Sequence, residues 1–187
     1  MAHEVDASEG LILAIDQFLH PKVFHEVAED VKNLQGWIPE TDHPDLPPVG
    51  ASCDIDNGTR IQKEFSQELK KMFAAPWKVA RFFINRFEAK EVPQFHRDHN
   101  AITCILYADE APWSFDDHGE TQLLVNGEVR GILPMPNRLL VFDGNLMHRA
   151  TSFQTRVRHT ISLQMDDVSF DDIVLPGSNS QKFVPPQ

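Results

Sequence analysis

The feature that most constrains the fold is a change of hydrophobic period at Lys78. Beyond this residue, β-branched and aromatic residues cluster in short runs with a period of two, each bounded by turn residues. The runs that predict strands are residues 78–87, 101–108, 122–125, 128–133, 138–142 and 158–165. Asn126-Gly127 separates two of them and predicts a tight hairpin, because both positions tolerate positive φ. Closely spaced antiparallel strands predict a mainly β fold, either a barrel or a jelly roll.

The residues before Lys78 follow a different pattern. Apolar residues recur at spacings of three and four from Pro21 to Leu34 and from Ile61 to Met72, which predicts two amphipathic helices. Residues 41–50 contain three prolines and predict an ordered loop or a lid. We expect one domain over residues 1–187, with mainly helical N-terminal support over 1–77, a β core over 78–165 and a partly tethered or disordered tail over 166–187.

Composition limits the partners that we expect. Seventeen basic and 28 acidic residues give a net charge of −11, which repels phosphate backbones and anionic membrane surfaces. The two cysteines, Cys53 and Cys104, form no disulfide framework and suit a reducing compartment, so we expect a cytoplasmic protein. The amino terminus has no basic leader, and Asp16 interrupts the apolar run from Leu11. We therefore expect no signal peptide and no spanning helix. From the net charge we expect no nucleic-acid partner.

Three residues form a candidate metal site. His96 and Asp98 stand two positions apart in an extended segment, so both can face one ion while Arg97 points elsewhere. His148 follows about fifty residues later. Two imidazoles and one carboxylate leave half of an octahedral iron site open, which is the arrangement that non-haem Fe(II) oxygenases use. A zinc site that includes His99 or His118 is the alternative interpretation.

Taken together, these segments resemble the Fe(II)- and 2-oxoglutarate-dependent oxygenases, particularly their prolyl-4-hydroxylase-like branch. The resemblance extends over roughly residues 78–165 and implies a double-stranded β-helix core of the jelly-roll or cupin type. The matching segments are Phe95–Asp98 with the His-x-Asp motif, Ile102–Tyr107, His118–Thr121 with Gly-Glu-Thr, Pro136–Phe142, Asp143–Arg149 with the distal histidine, and Arg158–Thr160.

The resemblance assigns a role to each matched residue. His96, Asp98 and His148 would hold Fe(II), which 2-oxoglutarate would chelate. Arg158, ten positions after His148, would bind the far carboxylate of 2-oxoglutarate. Further hydrogen bonds to this co-substrate are expected from Tyr107, Thr160 and Asn85. Asn85 enters because many relatives carry a tyrosine where this chain has Phe87.

The implied reaction uses O₂ and 2-oxoglutarate, releases succinate and CO₂, and hydroxylates a C–H bond of a small molecule or of a peptidyl residue such as proline. Halogenating relatives carry a small residue where this chain has Asp98, so hydroxylation is expected rather than chlorination. Gln164 stands where the DNA or RNA demethylase branch carries a second arginine, which argues against a nucleic-acid substrate. The candidate substrate contacts are Arg97, Trp113, His118 and Arg149, together with Trp37.

Two alternative functions use the same residues differently. A zinc hydrolase would use His96, Asp98 and His148 with a bound water, and would leave Arg158 without a catalytic role. A non-catalytic ligand-binding β-barrel would keep the residues around the site but would catalyse no reaction. Succinate production that depends on both Fe(II) and O₂ separates the oxygenase from these two alternatives.

Overall fold

The computed structural model describes residues 2–5, 12–41, 45 and 47–174. Within these residues the chain forms two α-helices, α1 (Pro21–Lys32) and α2 (Arg60–Lys70), and eleven strands. The strands are β1 (Ala2–Val5), β2 (Ile12–Ile15), β3 (Ile38–Pro39), β4 (Ala51–Asp54), β5 (Lys78–Phe87), β6 (Ile102–Tyr107), β7 (Thr121–Val125), β8 (Glu128–Ile132), β9 (Leu139–Asp143), β10 (His148–Ala150) and β11 (Arg158–Asp166). The prediction of a mainly β fold with two helices is confirmed.

The two helices form where the sequence predicts them, because each has a favourable first turn and one apolar face. Pro21 opens α1, at a position where its missing amide hydrogen would have no helical partner. Thr59 caps α2, and its side chain accepts a hydrogen bond from the Gln62 amide at 3.2 Å. The buried faces consist of Phe24, Val27, Ala28 and Val31 in α1 and of Ile61, Phe65 and Leu69 in α2.

Two antiparallel sheets contain the described strands. Eight strands form the larger sheet in the order β1-β2-β9-β6-β11-β5-β4-β3, and three form the smaller sheet in the order β10-β7-β8. Strand β11 pairs with β6 on one side and with β5 on the other, so that Thr160 lies opposite both Tyr107 and Asn85. Opposite residues of antiparallel strands share a face, and this register therefore brings those three side chains together.

The larger sheet separates two apolar cores. Along β6, Cys104 and Leu106 belong to the core beneath the helices, while Ile105 and Tyr107 belong to the core beneath the smaller sheet. This alternation is the period of two that the sequence shows. The chain is thus layered as helices, larger sheet and smaller sheet, and the second core lies between the two sheets.

The six predicted strands are all present, and none of their ends is displaced by more than one residue. The predicted hairpin joins β7 to β8, with positive φ at Asn126 (51°) and Gly127 (80°). The sequence did not predict β1, β2, β3, β4 or β10. The region 1–77, expected to be mainly helical, therefore also contributes four strands, which extend the larger sheet at both edges.

The predicted loop and tail are described in part. Residues 41, 45 and 47–50 lie in no helix or strand, and residues 42–44 and 46 lie outside the described residues. Residues 167–174 are tethered to the end of α2, because the Val174 amide donates to the Met72 carbonyl at 2.6 Å. The rest of the predicted tail, 175–187, lies outside the described residues. None of the helices described has both the length and the apolar character that crossing a bilayer requires.

Candidate active site

A short backbone pairing brings the candidate metal ligands together. His96 and His148 exchange two backbone hydrogen bonds of 2.9 Å, and the Asp98 amide donates to the Gly144 carbonyl at 2.9 Å. Gly144 permits this approach, since a Cβ at that position would lie 2.5 Å from the Asn100 carbonyl oxygen. The His-x-Asp segment is thereby fixed against the turn that precedes β10.

The side chains of the three candidate ligands face one another. Asp98 Oδ1 lies 3.7 Å from His96 Nε2, and Asp98 Oδ2 lies 3.6 Å from His148 Nε2. One ligand atom from each residue lies within 4.8 Å of the other two. A metal ion with ligands at about 2.0–2.2 Å can bridge the separations of 3.7 and 3.6 Å. We refer to His96, Asp98 and His148 as the triad.

Neighbouring groups orient the triad toward a common point. His96 Nδ1 lies 3.1 Å from the Gln94 carbonyl oxygen, and His148 Nδ1 lies 2.9 Å from the Leu146 carbonyl oxygen. A proton on each Nδ1 satisfies these carbonyls and leaves each Nε2 lone pair for a metal. Burial lowers the pKa of His148, which favours the neutral ring. The Thr103 hydroxyl donates to Asp98 Oδ2 at 2.6 Å and holds the carboxylate in place.

Arg158 is a buried cation without a carboxylate partner. Its side chain is 1% exposed, Nε donates to the Gly119 carbonyl at 2.9 Å, and Nη2 donates to Thr121 Oγ1 at 3.0 Å. None of the described carboxylates lies within ion-pair distance of it, although the charges of Asp109 and Glu120 act on it from farther away. Burial lowers the pKa of Arg158, but arginine stays protonated in proteins. An anionic ligand would offset the cost of burying this charge.

Tyr107 and Thr121 complete the surroundings of Arg158. The Tyr107 hydroxyl, which is buried, donates to Thr121 Oγ1 at 2.8 Å. Thr121 Oγ1 therefore accepts hydrogen bonds from both Tyr107 and Arg158, which fixes these two side chains relative to each other. Burial raises the pKa of Tyr107, so the phenol keeps its proton and stays a donor.

One cavity of about 250 Å³ is lined by both the triad and Arg158. Its wall also includes Asn85, Thr160 and Ser162. Ser162 is 2% exposed, and its hydroxyl oxygen is the one buried side-chain polar atom among the described residues that has no hydrogen-bond partner. Metal-ligating atoms, a cation and hydroxyl groups in one cavity fit a small dicarboxylate that also chelates a metal.

The five predicted substrate contacts lie outside the residues that line this cavity. The Trp113 indole donates to the His118 carbonyl at 2.8 Å. Arg97 donates to a backbone carbonyl of the neighbouring turn, and Arg149 donates to a glutamine of β7 at 2.8 Å. Trp37 packs against His159, with the ring centres 6.0 Å apart. Substrate contact by these side chains stays a prediction.

The alternative zinc ligands do not join the triad. Neither His99 nor His118 belongs to a cluster of metal-ligating side chains within the described residues. A second such cluster, His25 with Glu29 and Glu110, lies on the surface. Lys32 Nζ lies 2.7 Å from both carboxylates and already supplies a cation there.

Two supporting residues were not predicted as parts of the site. Thr103 holds Asp98, and it had a usable signal, since it stands four positions before Tyr107 and therefore shares its face of β6. Thr121 lies in the other sheet, where strand periodicity does not indicate which residues of the larger sheet it meets. The Gly-Glu-Thr similarity was its only signal.

Comparison with known proteins places this fold. No protein-family model and no curated protein sequence matches the chain. A prolyl hydroxylase from Trichoplax adhaerens, solved with a hypoxia inducible factor peptide fragment, is similar with a TM-score of 0.70 at 17% identity over 83% of each chain. A prolyl-4-hydroxylase from Pseudomonas putida has a TM-score of 0.62 at 14% identity over 83% of this chain and 91% of that one. HygX from Streptomyces hygroscopicus, solved with nickel, 2-oxoglutarate and hygromycin B, has a TM-score of 0.59 at 9% identity over 83% of this chain and 82% of that one.

The chain therefore has the fold of the Fe(II)- and 2-oxoglutarate-dependent oxygenases. Its structural neighbours include prolyl hydroxylases, which confirms, at the level of the fold, the resemblance to the prolyl-4-hydroxylase-like branch. At these sequence identities the similarity establishes the fold alone. The functional argument rests on the residues of the cavity.

Proposed function

We propose that this protein is an Fe(II)- and 2-oxoglutarate-dependent dioxygenase that hydroxylates an unactivated C–H bond. The observation that carries the proposal is that one cavity contains both the triad and the buried cation of Arg158, which has no described carboxylate within ion-pair distance. A zinc hydrolase would need the triad, but it would leave Arg158 without an anion in direct contact.

The triad supplies the proposed ligands of Fe(II). The Nδ1 contacts to backbone carbonyls hold both imidazole rings with Nε2 toward the metal position. Thr103 holds one oxygen of Asp98 and prevents the carboxylate from turning away. Three protein ligands would leave coordination positions free for the co-substrates 2-oxoglutarate and O₂.

Arg158 is the proposed partner of the distal carboxylate of 2-oxoglutarate, because its planar fork matches a carboxylate. The Thr160 hydroxyl and the Asn85 amide, which line the cavity, are the proposed neighbouring donors. Tyr107 lies opposite Thr160 but outside the residues that line the cavity, and its hydroxyl donates to Thr121, so its proposed role is to fix Thr121 beside Arg158. Ser162 stands between Thr160 and Gln164 on the same face of β11, and its buried hydroxyl has no partner among the described residues.

When bound, Fe(II) and 2-oxoglutarate supply the oxidising chemistry: one atom of O₂ ends in succinate, the other in the hydroxylated product, and CO₂ leaves. The residues of the chain bind and orient the co-substrate and neutralise its distal charge. Buried apolar side chains, including Phe83 and Ile105, form part of the cavity wall and lie opposite Ser162 in the larger sheet.

The proposal extends to the type of core, the domain organisation and the cellular location of the protein. We propose that the two sheets form a double-stranded β-helix core of the jelly-roll or cupin type, that residues 1–187 form one domain, and that the protein acts in the cytoplasm. The substrate is a small molecule or a peptidyl residue such as proline. These statements are supported by the antiparallel sheets around a shared core, the net charge and the two free cysteines.

The test is an anaerobic titration of the protein with Fe(II) and then with 2-oxoglutarate. We expect the weak visible charge-transfer band of a chelated complex, which bleaches with formation of succinate when O₂ is admitted. His148→Ala should abolish the band. The matched control is His99→Asn, which changes an exposed histidine near the triad at a positive φ that asparagine tolerates, and which should keep the band.

The other outcomes point to the two alternative functions. Bound metal without the band and without succinate would overturn the proposal in favour of a hydrolase. Bound 2-oxoglutarate that is never consumed on exposure to O₂ and a range of substrates would favour a binding barrel.

A further inference from the structure

The cavity has a second polar wall that the proposed reaction leaves unused. Arg81 of β5 donates from Nε to Asp54 Oδ1 at 3.0 Å, and from Nη2 to Glu40 Oε1 at 3.2 Å and to Ser52 Oγ at 3.0 Å. The guanidinium also stacks 4.0 Å above the Phe83 ring. Arg81 and Glu40 line the cavity where it opens to solvent, with side chains that are 40% and 42% exposed. We call Glu40, Ser52, Asp54 and Arg81 the mouth cluster.

The strand register places the mouth cluster near the triad and far from Arg158. Arg81 lies opposite Gln164 of β11, which lies opposite Thr103 of β6, the residue that holds Asp98. Two interstrand spacings separate Thr103 from Arg81, which is roughly 10 Å. Arg158 stands six residues from Gln164 along β11, which is roughly 20 Å. A molecule that reacts at the metal can therefore reach the mouth cluster without meeting the co-substrate end.

The mouth cluster has one carboxylate in excess. Glu40 and Asp54 share the single cation of Arg81. Glu40 Oε2 has no hydrogen-bond partner among the residues that the structure describes, because both recorded contacts of this carboxylate use Oε1. In the co-substrate complex the charges of Asp98, Arg158, a divalent metal and dianionic 2-oxoglutarate cancel. The net negative charge of the mouth cluster then remains, with Glu40 on the cavity wall and Asp54 behind Arg81 outside it.

We propose, on the basis of the function proposed above, that the mouth cluster binds a positively charged hydrogen-bond donor of the substrate. Such a group, for example a protonated amine, donates to Glu40 Oε2 while the reacting carbon lies at the metal, roughly 10 Å away. Gln164 lines the cavity between these two points and offers an uncharged amide. The unpartnered Ser162 hydroxyl supports a bound ligand in this cavity. A substrate carboxylate at the same place would be repelled by Glu40 and by the net negative charge of the mouth cluster.

The test uses three ring compounds that differ in one substituent: cyclohexylamine, cyclohexanol and cyclohexanecarboxylate. Each is titrated into the 187-residue chain loaded with Zn(II) and 2-oxoglutarate, a combination that supports no turnover, and Kd is read from backbone amide chemical shifts. Because a hydrogen bond to a charged group is involved, we expect the amine to bind about tenfold more tightly than the alcohol. The carboxylate should bind more weakly than the alcohol.

Three variants separate charge recognition from a loss of structure. Glu40→Gln should remove the advantage of the amine and leave the affinity for 2-oxoglutarate unchanged. Arg81→Gln should keep or increase that advantage, since it removes the competing cation. The matched control is Glu88→Gln, which removes a carboxylate paired with Arg86 outside the cavity and should change neither affinity.

The possible failures are distinguishable. If 2-oxoglutarate binds but the three compounds bind equally, or the amine shows no saturable binding in the millimolar range, the mouth cluster does not select a cation. The same conclusion follows if Glu40→Gln keeps the preference for the amine. If 2-oxoglutarate does not bind to the metal-loaded wild type, the proposed function itself is overturned, and this inference with it.

Discussion

Thr121 connects Tyr107 to Arg158, the proposed partner of the distal carboxylate of 2-oxoglutarate. Its Oγ1 accepts hydrogen bonds from Arg158 at 3.0 Å and from Tyr107 at 2.8 Å, and all three residues are buried. Removal of this acceptor leaves the buried Arg158 Nη2 without this partner, at a cost of about 1–3 kcal/mol, while the Tyr107 hydroxyl keeps the Ile132 carbonyl at 3.3 Å. Thr121 is therefore a positioning residue that acts through Arg158 and Tyr107, while the triad is held by other contacts.

We expect Thr121→Val to raise the KM for 2-oxoglutarate about tenfold and to lower kcat much less. Thr121→Ser keeps the hydroxyl and should restore a KM near that of the wild type. Both constants come from initial rates of succinate formation at varied 2-oxoglutarate and saturating Fe(II). An unchanged KM in Thr121→Val, or equal impairment in the serine variant, would contradict this role.

The strands of the larger sheet divide into those that the sequence could predict and those that it could not. The strand β5 (Lys78–Phe87) was predicted in full, because its ten residues are rich in β-branched and aromatic side chains. The strand β4 (Ala51–Asp54) consists of Ala, Ser, Cys and Asp and carries no such pattern. It forms because the edge of β5 offers unpaired backbone groups. The three-residue β10 is likewise defined by its partners, namely its pairing with β7 and the backbone bridge between His148 and His96.

The same distinction governs which site residues could be found. The triad and Arg158 lie in or beside regular segments whose spacing is visible in the sequence. Ser162 could also have been placed in the cavity, since it follows Thr160 by two positions in a strand. Glu40 could not, because its position depends on the pairing of β3 with β4, and neither strand has a sequence signal.

An ion pair attaches α1 to the segment that follows β6. His25 Nδ1 lies 2.7 Å from Glu110 Oε1, and the hydrogen bond and charge of Glu110 raise the pKa of His25 above its ordinary value of 6.5. A raised pKa means that folding favours the protonated ring. The resulting contribution to stability is fully present below the unfolded pKa, and it is lost as the pH rises through the folded pKa.

We expect Glu110→Gln to return the pKa of His25 toward its ordinary value, as measured by NMR titration of the imidazole ring. Glu29→Gln is the matched control, because Glu29 acts on His25 only through a weaker charge interaction and should produce a smaller shift. An unchanged pKa in Glu110→Gln, or a larger shift in the control, would show that the ion pair does not set this titration.

The molecule as a whole separates the groups that stabilise it from the groups that are proposed to react. The helices cover one face of the larger sheet, and the cavity opens on the other face. Phe65 of α2 is fully buried in the core beneath the helices and stacks on Phe82 of β5, with the ring centres 5.7 Å apart. The next residue of that strand, Phe83, points to the opposite face and lines the cavity. Strand β5 thus contributes side chains both to the core beneath the helices and to the cavity wall.

This layering predicts that stability can be lowered without loss of the proposed site. Phe65→Ala should reduce the free energy of unfolding by about 3–5 kcal/mol, because it leaves a cavity in a close-packed core. The matched control Phe115→Ala removes a phenylalanine that is 90% exposed and should change the free energy by less than about 0.5 kcal/mol. Urea unfolding measures both values. In the folded fraction at low urea, the KM for 2-oxoglutarate should be the same for Phe65→Ala and the wild type, since Arg158 and Tyr107 lie on the other face of the larger sheet and Thr121 lies in the smaller sheet. A KM that rises with the loss of stability would instead show that packing beneath the helices sets the geometry of the co-substrate end, so that the two faces of the sheet act as one unit.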